Sequence, residues 1–242
     1  FRRQLETAAV NSLEVLSEFT WIVVKVNGKE IWRGGAPLPT LFRSGFVAFD
    51  APVSVEKLEI AGGGHQGGIL AFGDSITHHC RWQDTVGKLA GLEIGNGGMA
   101  CDDTINARKR LESDVIALRP DLVLLLLGTN NSSATQAMTD LKYIIRRLRS
   151  ARINVIVCTI LPRPQPERAV KLNQLLRQYC RQEQILLHDW YEVMNDGNGN
   201  MKKEYGGGVH PNTRGIEVMA RSFIEDPVVK KFILQSTERK DK

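Results

Sequence analysis

The chain has 242 residues, 42% hydrophobic and 24% charged, which is long enough and apolar enough for a full globular core plus a small accessory module. Its longest apolar run, Leu122 to Leu127, falls far short of the roughly 20 residues of a membrane-spanning helix, so no membrane span is expected. The formal charge of +5 invites a nucleic-acid partner. However, Arg146, Arg147 and Arg149 lie on the polar side of a helical pattern without interleaved aromatics, and Lys230, Lys231, Arg239, Lys240 and Lys242 read as a solvated end, so none is expected.

The chain opens on Phe1 rather than Met, which reads as a processed or trimmed product. Trp21 to Val26 and Lys29 to Trp32 are strand-like and meet at Asn27-Gly28, a strong two-residue hairpin signal. Phe46 to Phe49 and Val53 to Ile60 are further extended stretches. Residues 1 to 61 are therefore expected to form a β-rich accessory module, and the glycine-dense residues 62 to 68 a linker.

From Ile69 onward, strand-length apolar runs alternate with helical periodicity, the pattern of an α/β fold around a parallel sheet. The runs are Ile69 to Phe72, Leu92 to Ile94, Leu122 to Leu127, Ile153 to Ile160 and Ile185 to Leu187. Ala137, Met138, Leu141, Ile144, Ile145 and Leu148 recur at helical spacing between the third and fourth runs, and Leu172, Leu175, Leu176 and Tyr179 between the fourth and fifth. Pro166 is placed to open the second of these helices, and a last helix is expected to begin near Thr213. Residues 69 to 242 form the second expected domain.

Four cysteines, Cys80, Cys101, Cys158 and Cys180, are too few for a disulfide scaffold and contain no Cys-x-x-Cys pair of the kind that holds zinc. Cys158 lies in an apolar run and is expected to be a buried free thiol.

In a parallel α/β sheet, ligands bind where loops leave the carboxyl ends of the strands. Three polar loops occupy that position here: Gly73-Asp74-Ser75, Asn96-Gly97-Gly98 and Gly128-Thr129-Asn130-Asn131. A hydroxyl is a weak nucleophile unless a base takes its proton. His210, in the glycine-rich loop before the last helix, is the best candidate to do this for Ser75. Attack on a carbonyl leaves negative charge on its oxygen, which preorganised donors must stabilise. The backbone N–H groups of Ser75 and Gly98 and the side-chain amide of Asn130 are the expected donors. Each residue also has a plainer reading: Ser75 as a helix N-cap, His210 as a surface side chain, Gly98 as a turn former and Asn130 as a cap. Their order on successive strand ends favours the chemical one.

Four blocks in register, Gly73-Asp74-Ser75-Ile76-Thr77, Asn96-Gly97-Gly98-Met99, Gly128-Thr129-Asn130-Asn131 and Val209-His210-Pro211-Asn212, make the chain resemble the SGNH hydrolases, also called GDSL-type esterases and lipases. The resemblance implies a three-layer α/β/α flavodoxin-like domain and ester hydrolysis through an acyl-enzyme, without metal or organic cofactor. It implies Ser75 as nucleophile, His210 as base, and Ser75, Gly98 and Asn130 as the oxyanion hole.

The family usually carries an aspartate three residues before the histidine, where this chain has Gly207. A Ser-His dyad is the first expectation; Glu204, Asp196 or Asp189 taking over, or lost catalysis, are the alternatives. Carbohydrate esterase family two is similar in using such a dyad and in carrying a β-rich module before the hydrolase domain. That likeness implies O-deacetylation of a carbohydrate. Long-chain lysophospholipase or thioesterase activity, and carbohydrate binding on a decayed scaffold, are the competing functions.

Overall fold

The structure is a computed structural model and describes residues 68–237, together with the backbone of three strands nearer the N-terminus. Those strands, β1 (Leu13–Glu18), β2 (Trp21–Val26) and β3 (Lys29–Gly35), form an antiparallel sheet in that order. Val26 pairs with Lys29, the register expected of a hairpin closed at Asn27-Gly28, although those two residues themselves lie outside the described ones. The expected strands within 46–60 and the linker up to residue 67 also lie outside them.

The second sheet has five parallel strands: β4 (Ile69–Gly73), β5 (Ile94–Gly98), β6 (Leu122–Leu126), β7 (Asn154–Cys158) and β8 (Leu186–His188). Their spatial order, β5-β4-β6-β7-β8, is the doubly wound order of flavodoxin-like folds, with the chain reversing direction across the sheet at β4.

Period-two alternation sends each strand's side chains to two separate cores. Leu70, Phe72, Val123 and Leu125 pack with α3 (Thr104–Asp114), α4 (Ala134–Ser150) and α5 (Glu167–Gln182). Ile69, Ala71, Leu122, Leu124 and Leu126 pack with α1 (Ser75–His78), α2 (Trp82–Ala90), α6 (Trp190–Met194), α7 (Thr213–Glu225) and α8 (Pro227–Thr237). Three layers result. The apolar stripes expected on α4 and α5 are the surfaces buried here, and α5 begins directly after Pro166.

One strand is displaced from its expected position. The apolar signal lay at Leu92 to Ile94, whereas β5 runs on through Gly95, Asn96, Gly97 and Gly98. Glycine is disfavoured in strands, so propensity argued against those residues. Close approach explains them: a Cβ on Gly97 would meet the Ala71 carbonyl at 3.0 Å, and one on Gly98 would meet the His78 nitrogen at 2.4 Å. All four cysteines are free, and Cys158 is buried.

Candidate active site

Ser75 is the first residue of α1, directly after β4. Asp74 caps the helix, its Oδ1 accepting from the Ile76 N–H at 3.0 Å, so the capping reading of Ser75 does not hold. A first-turn N–H has no carbonyl one turn back in its own helix, which leaves the Ser75 N–H available at the site. Gly73 lets the turn close: a Cβ there would meet the Leu126 carbonyl and Thr77 Oγ1, each at 2.3 Å. The structure thus fixes the Ser75 backbone at a strand end while burying all but 7% of the residue.

His210 reaches the same point from the far end of the chain. Its Nε2 lies 2.8 Å from Ser75 Oγ, across 135 positions of sequence. The ring is otherwise exposed, and its Nδ1 has no hydrogen-bond partner among the described residues. None of the three candidate acids fills that place. Asp189 caps α6 and pairs with Arg177 at 2.6 Å, Asp196 accepts from the backbone of Asn198 and Asn200, and Glu204 is exposed, engaged through its carbonyl by Asn212.

Asn130 follows β6 and is exposed. Its amide donates one hydrogen to the Asp102 carbonyl at 2.8 Å, leaving the second for a ligand. Ser133, not Asn130, caps α4. Asn131 braces the same loop, accepting from Thr104 N–H at 3.2 Å and donating to Thr104 Oγ1 at 2.8 Å. Gly98 is placed differently from expectation. Met99 N–H donates inward to the Gly73 carbonyl at 3.0 Å, so the alternation of the strand turns Gly98 N–H outward, where it donates to Asn96 Oδ1 at 2.9 Å. Its structural contribution is the close approach of α1 to β5.

Arg110 was not singled out in the sequence. Its guanidinium is 10% exposed and bonds the carbonyls of Gly97 (3.0 Å) and Gly73 (3.1 Å) while pairing with Asp102 at 2.7 Å. One side chain therefore ties together the ends of β4 and β5 and the loop that holds Asn130. Burial raises the Asp102 carboxyl above its usual range despite Arg110. Burial likewise pushes the Asp74 carboxyl up to about 6, against the opposing pull of the Ile76 N–H and of Thr129.

A second Ser-His-Asp grouping, Ser222, His188 and Asp226, is structural. The contacts of His188 are long, 3.3 Å to Asp226 and 3.4 Å to Ser222, and Ser222 Oγ donates to the Met219 carbonyl at 2.9 Å. His188 is buried against Trp190 and Phe223, and that burial lowers its pKa.

A doubly wound parallel sheet thus brings a helix-opening serine and a histidine together at its carboxyl edge. Residues 71–218 match the model of the GDSL-like lipase/acylhydrolase family, and the chain belongs to that family. It is 32% identical over 123 residues to platelet-activating factor acetylhydrolase IB subunit alpha1 of Rattus norvegicus, covering 45% of this chain and 52% of that protein. The chain thus spans about half the length of the curated relatives it matches. Among solved structures, a GDSL-like lipase from Bacteroides thetaiotaomicron superposes with a TM-score of 0.60 at 21% identity, covering 68% of this chain and 88% of that one. An acetylxylan esterase from Geobacillus stearothermophilus gives 0.55 at 18% identity, covering 67% and 94%. Both likenesses are to the fold. Among the described residues, no helix is long and apolar enough to cross a membrane.

Proposed function

We propose that the protein is a serine esterase that removes short acyl groups, acetyl foremost, from carboxylic esters through an acyl-enzyme. The carrying observation is the 2.8 Å contact between Ser75 Oγ and His210 Nε2. Ser75 Oγ attacks the ester carbonyl carbon as His210 Nε2 takes its proton. The carbonyl oxygen becomes an oxyanion held by the Ser75 N–H and the free amide hydrogen of Asn130, each such donor being worth about 3–4 kcal/mol in the transition state. Collapse expels the alcohol, protonated by His210. Water, deprotonated by the same imidazole, then attacks the acyl carbon and releases the acid.

His210 Nδ1 has no hydrogen-bond partner among the described residues, which supports a dyad, with Gly207 at the position where the family resemblance implies an aspartate. Two proteins similar to this chain bear names that specify acetyl esters, an acetylhydrolase and an acetylxylan esterase, which supports acetyl as the acyl group. We assign O-acetylated carbohydrate as the leading substrate class, on the β-rich segment ahead of the hydrolase domain. Residues 1 to 61 are taken as an accessory module joined by residues 62 to 68. The acetylhydrolase relative favours a second reading, in which the ester is a lipid such as platelet-activating factor. Ser75→Ala is expected to abolish hydrolysis of p-nitrophenyl acetate with the circular-dichroism spectrum unchanged, and a fluorophosphonate is expected to label Ser75 in the wild type. Full turnover by the alanine variant overturns the assignment.

A further inference from the structure

Two arginines after β7 have no role in the chemistry above. Arg168 donates to the carbonyls of Gly128 (3.1 Å) and Thr129 (2.6 Å), and Arg163 donates to the same Thr129 carbonyl at 2.5 Å. Both are half-buried, and neither has a carboxylate within ion-pair distance among the described residues. This is unlike the other arginines buried near the site or the sheet: Arg110 faces Asp102, and Arg177 faces Asp189. Burial first, and the neighbouring Arg163 charge second, lower the Arg168 pKa. Guanidinium carries five N–H donors; the carbonyls engage one on Arg163 and two on Arg168, so several remain open.

Their location gives this uncompensated charge a use. Thr129 immediately precedes Asn130, and the β4-β6-β7 order places the arginines at the carboxyl edge of the sheet, two strand spacings or roughly 10 Å from the nucleophile's strand. Neutral carbonyls fix the two guanidiniums but do not neutralise them. A pair of planar forks converging beside an ester-cleaving site suits the oxygen atoms of an anion.

We infer that Arg163 and Arg168 form an anion subsite that selects esters whose alcohol part carries a phosphate or carboxylate. The inference rests on the esterase reading and deepens it by naming a charge requirement on the leaving group. It is compatible with an acidic sugar and with a phosphorylated alcohol.

The test compares kcat/KM for methyl 3-acetoxypropanoate, which is neutral, with those for 3-acetoxypropanoate and 2-acetoxyethyl phosphate, in the wild type and in Arg163→Gln and Arg163→Lys. The wild type is expected to prefer at least one anionic ester by about tenfold or more, the scale of a hydrogen bond to a charged group. That preference should shrink with added salt, collapse in Arg163→Gln and persist in part in Arg163→Lys. Whether phosphate or carboxylate is preferred distinguishes the two sources of the anion. Inorganic phosphate should inhibit hydrolysis of the neutral ester competitively in the wild type and more weakly in Arg163→Gln. Equal use of all three esters while Ser75 still turns them over refutes the subsite and leaves the esterase reading standing. A preference that survives Arg163→Gln and Arg168→Gln also refutes it. Absence of both turnover and fluorophosphonate labelling is instead the failure of the esterase reading.

Discussion

Gly207→Asp is the substitution that tests how Ser75 is activated. Position 207 lies three residues before His210, a Cβ there meets no atom within 4 Å, and His210 Nδ1 has no partner among the described residues. In the proposed mechanism, an added carboxylate can therefore turn toward the imidazolium that forms as Ser75 attacks. At about 4 Å, opposite charges attract by about 1 kcal/mol in water and by about 4 kcal/mol at an effective dielectric constant near 20. With a factor of ten per 1.36 kcal/mol, that corresponds to between about fivefold and about 10³-fold in rate. The exposed His210 ring places this variant toward the lower end, below the factor of about 10⁴ lost when the aspartate of a serine protease triad is disabled. The assay is kcat for p-nitrophenyl acetate in wild type, Gly207→Asp and Gly207→Asn. The asparagine variant keeps the volume without the charge. A rise in the aspartate variant alone, absent in a His210→Ala background, is the expected outcome. An unchanged kcat in a folded Gly207→Asp would show that His210 is already supported or is not the base, and the dyad would fall.

Three further outcomes follow from the packing around the site. Gly98→Ala keeps a backbone N–H but puts a methyl 2.4 Å from the His78 nitrogen; overpacking of about 1–3 kcal/mol should lower the denaturation midpoint and displace Ser75, reducing kcat with it. Retained stability and activity would show that α1 does not need that close approach. Arg110→Met strands the buried Asp102 carboxylate and is expected to cost about 3–5 kcal/mol by urea denaturation, with Asp102→Asn in the same background recovering part of it. Asp74, raised from 3.8 to about 6, holds a proton in the folded state that the unfolded chain has already released between those values. Its contribution to stability accordingly falls as pH rises through that window, by about 3 kcal/mol in all. Asp74→Asn retains a capping oxygen, so urea midpoints at pH 4 and pH 7.5 should differ less in the variant than in the wild type, and an equal difference would refute the burial argument.

The fold was largely legible because β4, β6 and β7 are continuous apolar runs, as buried parallel strands tend to be, and because α4 and α5 carry one-sided stripes. β5 was misplaced because its glycines serve contacts with Ala71 and His78 rather than a strand propensity, and contacts between distant segments leave no periodic trace. β1 and α8 gave too weak a pattern to be distinguished. At the site, sequence order placed Ser75, His210 and Asn130 on loops that the sheet brings to one edge. It could not reveal that strand alternation commits Gly98 N–H to Asn96, nor that Arg110 turns inward while Arg108 and Lys109 beside it face water.

The glycine-rich loop ahead of His210 divides the site into expensive and inexpensive parts. Around Ser75, Gly73 and Gly98 are held by close packing contacts and Asp74 by its capping hydrogen bond, so changes there are paid for in folding. Gly207 and Gly208, shortly before His210, face open space. Sequence drift can therefore add an acid, a bulky residue or a second charge beside His210 without disturbing the sheet. The surroundings of His210 can in this way change while Ser75 and its close contacts stay the same.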